Sequence, residues 1–208
     1  MKKEVKPLTF ELESELWSRG YKVVCGTDEA GRGPLVGPVV AGACILPEGV
    51  VIEGLNDSKK LSEKKREALY DVICETAVAW GVGIATPKEI DEINILNASM
   101  LAMRRAIENM GVQPDAVLVD GNCTRGFTIP AFSVVKGDSI SPSIAAASII
   151  AKVTRDRMCI EIDKKYPQYK IAGHKGYPTK EHMELVRQYG PCEEYRMSFL
   201  KFLSDGKK

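Results

Sequence analysis

The sequence predicts an α/β protein in three layers, a mixed sheet with helices on both faces. Short apolar runs of strand length, rich in Val, Ala, Ile and Gly, recur along the chain. Longer amphipathic stretches with capping residues stand between the later runs. The order is strands first, then helix and strand in alternation.

Each element follows in turn. Residues 10–19 carry Leu12, Leu16 and Trp17 on one side, which predicts a short amphipathic helix. Residues 21–28 read as a strand, and 36–46 as a second after a Gly-Pro turn. Val50-Val51-Ile52 predicts a short third strand, completing an antiparallel meander. Ser62 caps a helix expected to reach Trp80, with Leu69, Val72, Ile73 and Val78 on its apolar face. Residues 81–86 form a strand, and Pro87 opens helical sequence to about Met110. Residues 116–120 are a buried-type strand ending in an acid, and 131–135 are another strand. Ser141-Pro142 then opens an alanine-rich helix, Ser as cap and Pro at the first position. Residues 179–190 and 193–203 supply two more short helices. No repeat or low-complexity linker divides the chain, so one domain is expected over 1–208, with a helical C-terminal extension from about 180.

The 208 residues are 44% hydrophobic and 27% charged, an ordinary globular balance. The net charge of +1 hides a gradient: residues 1–120 hold 14 Lys and Arg against 19 acids, and 121–208 hold 15 against 9. A basic half facing an acidic site suits a nucleic-acid groove. The six cysteines form no C-x-x-C pair, which argues against structural zinc and a disulfide framework. Met1-Lys2-Lys3 leads to Glu4 and Pro7 without an apolar h-region, and no apolar run is long enough to span a membrane. A reduced, cytoplasmic, soluble protein is expected.

The chemistry starts at Asp28-Glu29-Ala30-Gly31-Arg32-Gly33-Pro34. Carboxylates are costly to bury unless paired or bound to a cation. Mg²⁺ takes one or two of them and keeps sites for water and phosphate. The arginine and glycine amides beside them suit phosphate. Neighbours on a regular strand face opposite ways, so both acids reach one site only if the strand ends or bulges there, and Ala30-Gly31 makes an end expected. Asp120 closes a strand before Gly121, and Asp138 leaves another before a helix start. Carboxylates at separate strand exits fit a pair of divalent ions clamping an in-line phosphoryl displacement.

Other motifs fail. The glycines around Gly31 lack the Lys-Ser/Thr of a P-loop, His174 and His182 match no H-E-x-x-H, and no G-x-S-x-G elbow is present. Lys59, in Asp57-Ser58-Lys59-Lys60-Leu61-Ser62, sits at a helix start where phosphate can bind. Ser148 and Lys152 lie on the alanine-rich helix, and Tyr177 stands in a basic loop where it can stack on a sugar or base. Each also has a plain structural use: a capping loop, close helix packing, a loop anchor.

Taken together, Asp28-Glu29-Ala30-Gly31-Arg32-Gly33-Pro34, Asn56-Asp57-Ser58-Lys59-Lys60-Leu61, Val119-Asp120-Gly121, Lys136-Gly137-Asp138, the stretch 145–156 and His174-Lys175-Gly176-Tyr177 resemble the bacterial ribonuclease HII family, in family order. The resemblance implies a ribonuclease H-like fold with a five-stranded mixed sheet. It implies cleavage of RNA in RNA–DNA hybrids and nicking 5′ of a single ribonucleotide in duplex DNA, leaving 5′-phosphate and 3′-hydroxyl ends. By position, Asp28, Glu29, Asp120 and Asp138 are expected to bind Mg²⁺ or Mn²⁺. Gly31, Arg32 and Gly33 are expected to sense the ribose 2′-OH, and Tyr177 to pack on the next, deoxy, sugar.

About 20 residues precede the first strand and the Arg-Gly motif is intact, which favours HII over the related HIII family. Tyr195-Arg196-Met197-Ser198-Phe199 departs from the family by beginning with Tyr where His is expected. Phe199 and Phe202 read as packing residues rather than a sliding-clamp peptide, which leaves a sliding clamp open as a partner but without a motif to support it. A monomer without a membrane role is expected. Crowded carboxylates imply a raised pKa and activity that climbs with pH. The alternatives are a silent nucleic-acid-binding module, which the full carboxylate set disfavours, and another nuclease on this fold, which would not need Gly31-Arg32-Gly33.

Overall fold

The computed structural model describes residues 8–203, apart from the side chain of Lys60. The expectation resting on Met1, Lys2, Lys3, Glu4 and Pro7 lies outside the described residues. The elements run α1 (Glu11–Ser18), β1 (Val24–Ala30), β2 (Val39–Ile45), α2 (Glu63–Thr76), β3 (Ala79–Ala85), α3 (Pro87–Glu108), β4 (Ala116–Asp120), β5 (Ala131–Val134), α4 (Pro142–Lys165), α5 (Ile171–His174) and α6 (Lys180–Tyr189). One five-stranded sheet has the order β3-β2-β1-β4-β5. The meander β1-β2-β3 is antiparallel, while β1-β4 and β4-β5 are parallel. The mixed sheet of the sequence reading is therefore present.

The register decides where the acids go. Thr27 lies opposite Val119 in the parallel pair, so Asp28 and Asp120 sit one step further on in adjacent strands. Both strands exit at the same sheet end, where α/β sheets place their ligands.

One face is covered by α3, whose Ile90, Ala98, Met103 and Ala106 pack on Cys25, Val39, Ala41 and Val117. On the other, Ala146, Ala147, Ile149 and Ile150 of α4 join Leu69 and Ile73 of α2 over Cys44. A Cβ at Gly26 would overlap the Ser143 backbone, and one at Gly42 the Ala147 carbonyl. Glycine at both lets α4 lie almost backbone to backbone on the sheet. The start of α4 is anchored by the Ser141 cap, whose Oγ accepts from Ile144 N at 3.1 Å. Buried Glu13 of α1 accepts from Ser143 N at 3.3 Å.

Several boundaries differ from the sequence reading. The first strand starts at Val24 because the Lys22 and Val23 amides donate to Asp115 Oδ2 at 2.9 and 3.0 Å. It also runs past the acids, since β2 pairs with it as far as Ala30 opposite Val40, so there is no strand end at Asp28. Val50–Ile52 forms no strand; the meander's third strand is β3. The helix capped by Ser62 stops at Thr76, because residues 79–85 pair with β2. Val72, on the outer side of α2, and Val78, between α2 and β3, are exposed rather than core. Asn94, at φ 67°, kinks α3. Residues 193–203 are not a helix: Tyr195 makes a β-bridge to Val36, and two single 3-10 turns follow, 197–199 and 201–203.

Candidate active site

Asp28 and Glu29 stand near the C-terminal end of β1, where regular strand alternation alone would turn them to opposite faces. Asp28 lies on the α4 side near Ser148, which favours its charged form, and accepts from the Glu29 amide at 2.7 Å. Glu29 lies at the strand end, its Oε1 3.3 Å from the Arg32 guanidinium. Asp120 accepts from Gly137 N at 2.7 Å, which ties β4 to the turn carrying Asp138. That turn is a 3-10 helix, Gly137–Ser139, entered through Lys136 in the left-handed region at φ 59°. Asp138 is only 5% exposed.

Asp28, Glu29 and Asp138 each feel the charge of Asp120. Burial, then Glu29 and Asp120, push the Asp28 carboxyl well above its usual range. Burial and Asp120 raise Glu29 against the opposing pull of Arg32. Burial, Asp57 and Asp120 raise Asp138. Burial opposes the Lys59 charge, yet Asp28, Asp138, Asp57 and Asp120 together raise its pKa. Its Nζ stands 3.7 Å from Asp138 Oδ2.

Beside the acids lies a cleft of about 190 Å³ lined by Glu29, Gly31, Arg32, Gly33, Ser58, Lys59, Ser148, Lys152, Arg155 and Tyr177. The fold thus brings the eleven candidate residues into one neighbourhood. Gly31 adopts φ +99°, and a Cβ there would overlap the Arg155 guanidinium, so only glycine fits. Ser148 Oγ is 2.9 Å from Ser58 Oγ, joining α4 to the Asp57–Ser62 segment. Lys152 lines the cleft but is held by Asp156, its Nζ 2.5 Å from Oδ1. A larger cleft, near Tyr70, Pro87 and Met158, contains none of these acids.

Hard, anionic oxygen donors fit Mg²⁺ or Mn²⁺. Among the described residues no three of His, Cys, Asp and Glu form a ready-made cage. A Mg²⁺ site of one or two direct carboxylates needs none.

Sequence reasoning missed three contributors. Arg155 and Arg196 are buried behind the Gly31–Gly33 segment, and Arg66 donates to the carbonyls of Ser58 and Leu61. Both segments bearing the buried arginines were visible as motifs, but nothing local marks an arginine as inward-facing. The tail aromatics are used internally: the Arg196 guanidinium stands 5.3 Å from the Phe199 ring centroid, and that of Arg187 5.3 Å from Phe202.

Residues 25–202 match the family model described as Ribonuclease HII. The chain is 57% identical over 189 residues to the Ribonuclease HII of Acetivibrio thermocellus, covering 91% of this chain and 74% of that protein. The ribonuclease H2 of Pyrococcus horikoshii OT3 is similar in structure, with TM-score 0.72 and 29% identity over 88% of this chain and 98% of that one. A PCNA:RNase HII complex from Archaeoglobus fulgidus gives TM-score 0.70 and 25% identity, over 85% of this chain and 94% of that one. The chain therefore belongs to the ribonuclease HII family and is a ribonuclease H enzyme.

Proposed function

We propose that this chain is a divalent-metal-dependent endoribonuclease that cleaves the RNA strand of RNA–DNA hybrids. It also nicks duplex DNA 5′ of a single ribonucleotide, leaving 5′-phosphate and 3′-hydroxyl ends. The observation carrying this reading is the meeting of Asp28, Glu29, Asp120 and Asp138 beside a cleft walled by Gly31–Gly33 and Tyr177.

Asp28, Glu29, Asp120 and Asp138 would hold the metal, and their mutual repulsion supports that role. Bound Mg²⁺ or Mn²⁺ would activate water and stabilise the leaving 3′-oxygen in an in-line displacement. Lys59, Ser148 and Lys152 face the strand's phosphates. Gly31, Arg32 and Gly33 bring the backbone close to the 2′-OH, the one group separating ribose from deoxyribose. Tyr177, 46% exposed at the cleft edge, stacks on the following sugar. Requiring a hydroxyl at one sugar and none at the next selects the RNA–DNA junction.

The six cysteines are free, which suits a reducing cytoplasm, and no helix among the described residues is long and apolar enough to cross a membrane. Action as a monomer belongs to the same proposal.

Asp120→Asn tests the metal role. Loss of more than about a hundredfold in turnover, with weakened Mn²⁺ binding by electron paramagnetic resonance, is expected. Near-normal turnover would overturn it.

A further inference from the structure

Arg196 is fully buried, and its guanidinium is spent on backbone carbonyls. Nε donates to Gly37 O at 2.9 Å, Nη1 to Arg32 O at 3.1 Å and Pro34 O at 2.8 Å, and Nη2 to Gly31 O at 2.6 Å. Among the described residues no carboxylate pairs with it within 4.0 Å. Burying a cation against neutral dipoles is costly, and packing alone would be served as well by an apolar side chain. A planar fork that meets several carbonyls at once fixes a loop in a way no point charge can.

Its neighbour Tyr195 reaches the other wall. The Tyr195 hydroxyl lies 2.8 Å from His182 Nε2, and His182 Nδ1 lies 2.8 Å from the Tyr177 carbonyl. A carbonyl only accepts, so Nδ1 carries the hydrogen and Nε2 accepts from the tyrosine. The His174 ring stacks on His182 with centroids 4.0 Å apart and accepts from Gly176 N at 3.1 Å, which steadies the same loop.

The backbone welds these parts together. Arg196 N donates to Leu35 O at 2.9 Å, Gly37 N to Glu194 O at 2.8 Å, and Leu35 N to Gly176 O at 2.8 Å. Beyond the pair, Asp91 of α3 accepts from Met197 N at 2.8 Å and Ser198 N at 2.9 Å, pinning the tail.

Resting on the function above, we propose that Tyr195 and Arg196 are the positioning pair for sugar discrimination. Arg196 sets the Gly31–Gly33 wall, and Tyr195 sets Tyr177 through His182. The two elements that read adjacent sugars are thus mounted on one dipeptide. Neither residue touches the acids.

The test compares initial rates on a duplex with one ribonucleotide and on a long RNA–DNA hybrid, both with Mn²⁺. It uses the full chain as wild type, Arg196→Lys and Tyr195→Phe, each with a thermal melt. Arg196→Lys is expected to lower the single-ribonucleotide to hybrid rate ratio about tenfold or more, as loss of charged hydrogen bonds implies. Tyr195→Phe, losing one neutral bond, is expected to lower it about threefold. Ratios that stay at the wild-type value while both rates fall with the melting temperature would overturn the proposal. Should Arg196→Lys not fold, the Tyr195→Phe ratio decides by itself. Wild type that fails to nick at the ribonucleotide would bring down the underlying function. Wild type that nicks, with unmoved variant ratios, brings down only this pair's role.

Discussion

The Tyr177 ring lies against the Cα of Gly33: a methyl at Gly33 would stand 3.3 Å from ring Cε1. The glycine leaves the ring its place, and the ring closes one wall of the cleft. Tyr177→Ala should therefore lower nicking at single ribonucleotides by roughly ten- to a hundredfold, the span of a lost stacking contact. Because the ring is half exposed, stability should change by less than about 0.5 kcal/mol. Steady-state nicking beside a thermal melt checks both.

Asp28 is expected to destabilise the metal-free protein at neutral pH and above. Its carboxyl pKa is raised by burial, Glu29 and Asp120, so between its ordinary and its raised value the folded state binds more protons than the unfolded. Stability contributed by the protonated group is therefore lost as pH rises through that window. Asp28→Asn should raise the melting temperature of the metal-free protein by about 3–6 °C at pH 8, with little change at pH 4. The same variant should lose turnover. A lower melting temperature at pH 8 would show that the crowding is offset by contacts Asn cannot make.

Activity should rise with pH along a limb displaced above the ordinary carboxylate range. Glu29 and Asp138 share the upward shift with Asp28, and protons would compete with a bound cation for the same oxygens. Raising Mn²⁺ should move the limb to lower pH. A pH–rate profile at two Mn²⁺ concentrations checks this, and a limb indifferent to metal would assign it to another group.

Much of this was legible in the chain because strand endings leave local marks. Ala116–Asp120 and the Ser141-Pro142 helix start stand where sequence placed them, since an apolar run closing on Asp-Gly and a Ser-Pro cap are decided by neighbours. The errors share a cause. Val50–Ile52 looks like a strand but finds no partner, and 77–80 continues a helical pattern, yet Ala79 and Trp80 are claimed by β2. Pairing is not local. At the site, the acids were visible as residue types, whereas the inward course of Arg196 follows from a tail crossing back to Val36, and that of Arg155 from the carbonyls of Val36, Pro38 and Lys175 that meet it on α4. Asp28 and Glu29 reach one site without a strand end at Asp28: β1 runs only one residue past Glu29, whose side chain lines the same cleft as Ser148 and Lys152 of α4.

Gly26 links the fold to the site. A Cβ there would overlap the Ser143 backbone, so Gly26→Ala must lift α4, which carries Ser148. A loss of about 1–3 kcal/mol is expected from overpacking. Chemical denaturation checks it, and an unchanged midpoint would mean that α4 can shift freely.

The most direct measurement is strand mapping of a duplex carrying one ribonucleotide, beside an all-DNA duplex, with Mn²⁺, Mg²⁺ or chelator. A nick 5′ of the ribonucleotide with either metal, absent from the all-DNA duplex and abolished by chelator, is expected. Intact duplex in both metals, or cleavage that ignores the ribonucleotide, would contradict the function assigned to Asp28, Glu29, Asp120 and Asp138 beside Gly31–Gly33.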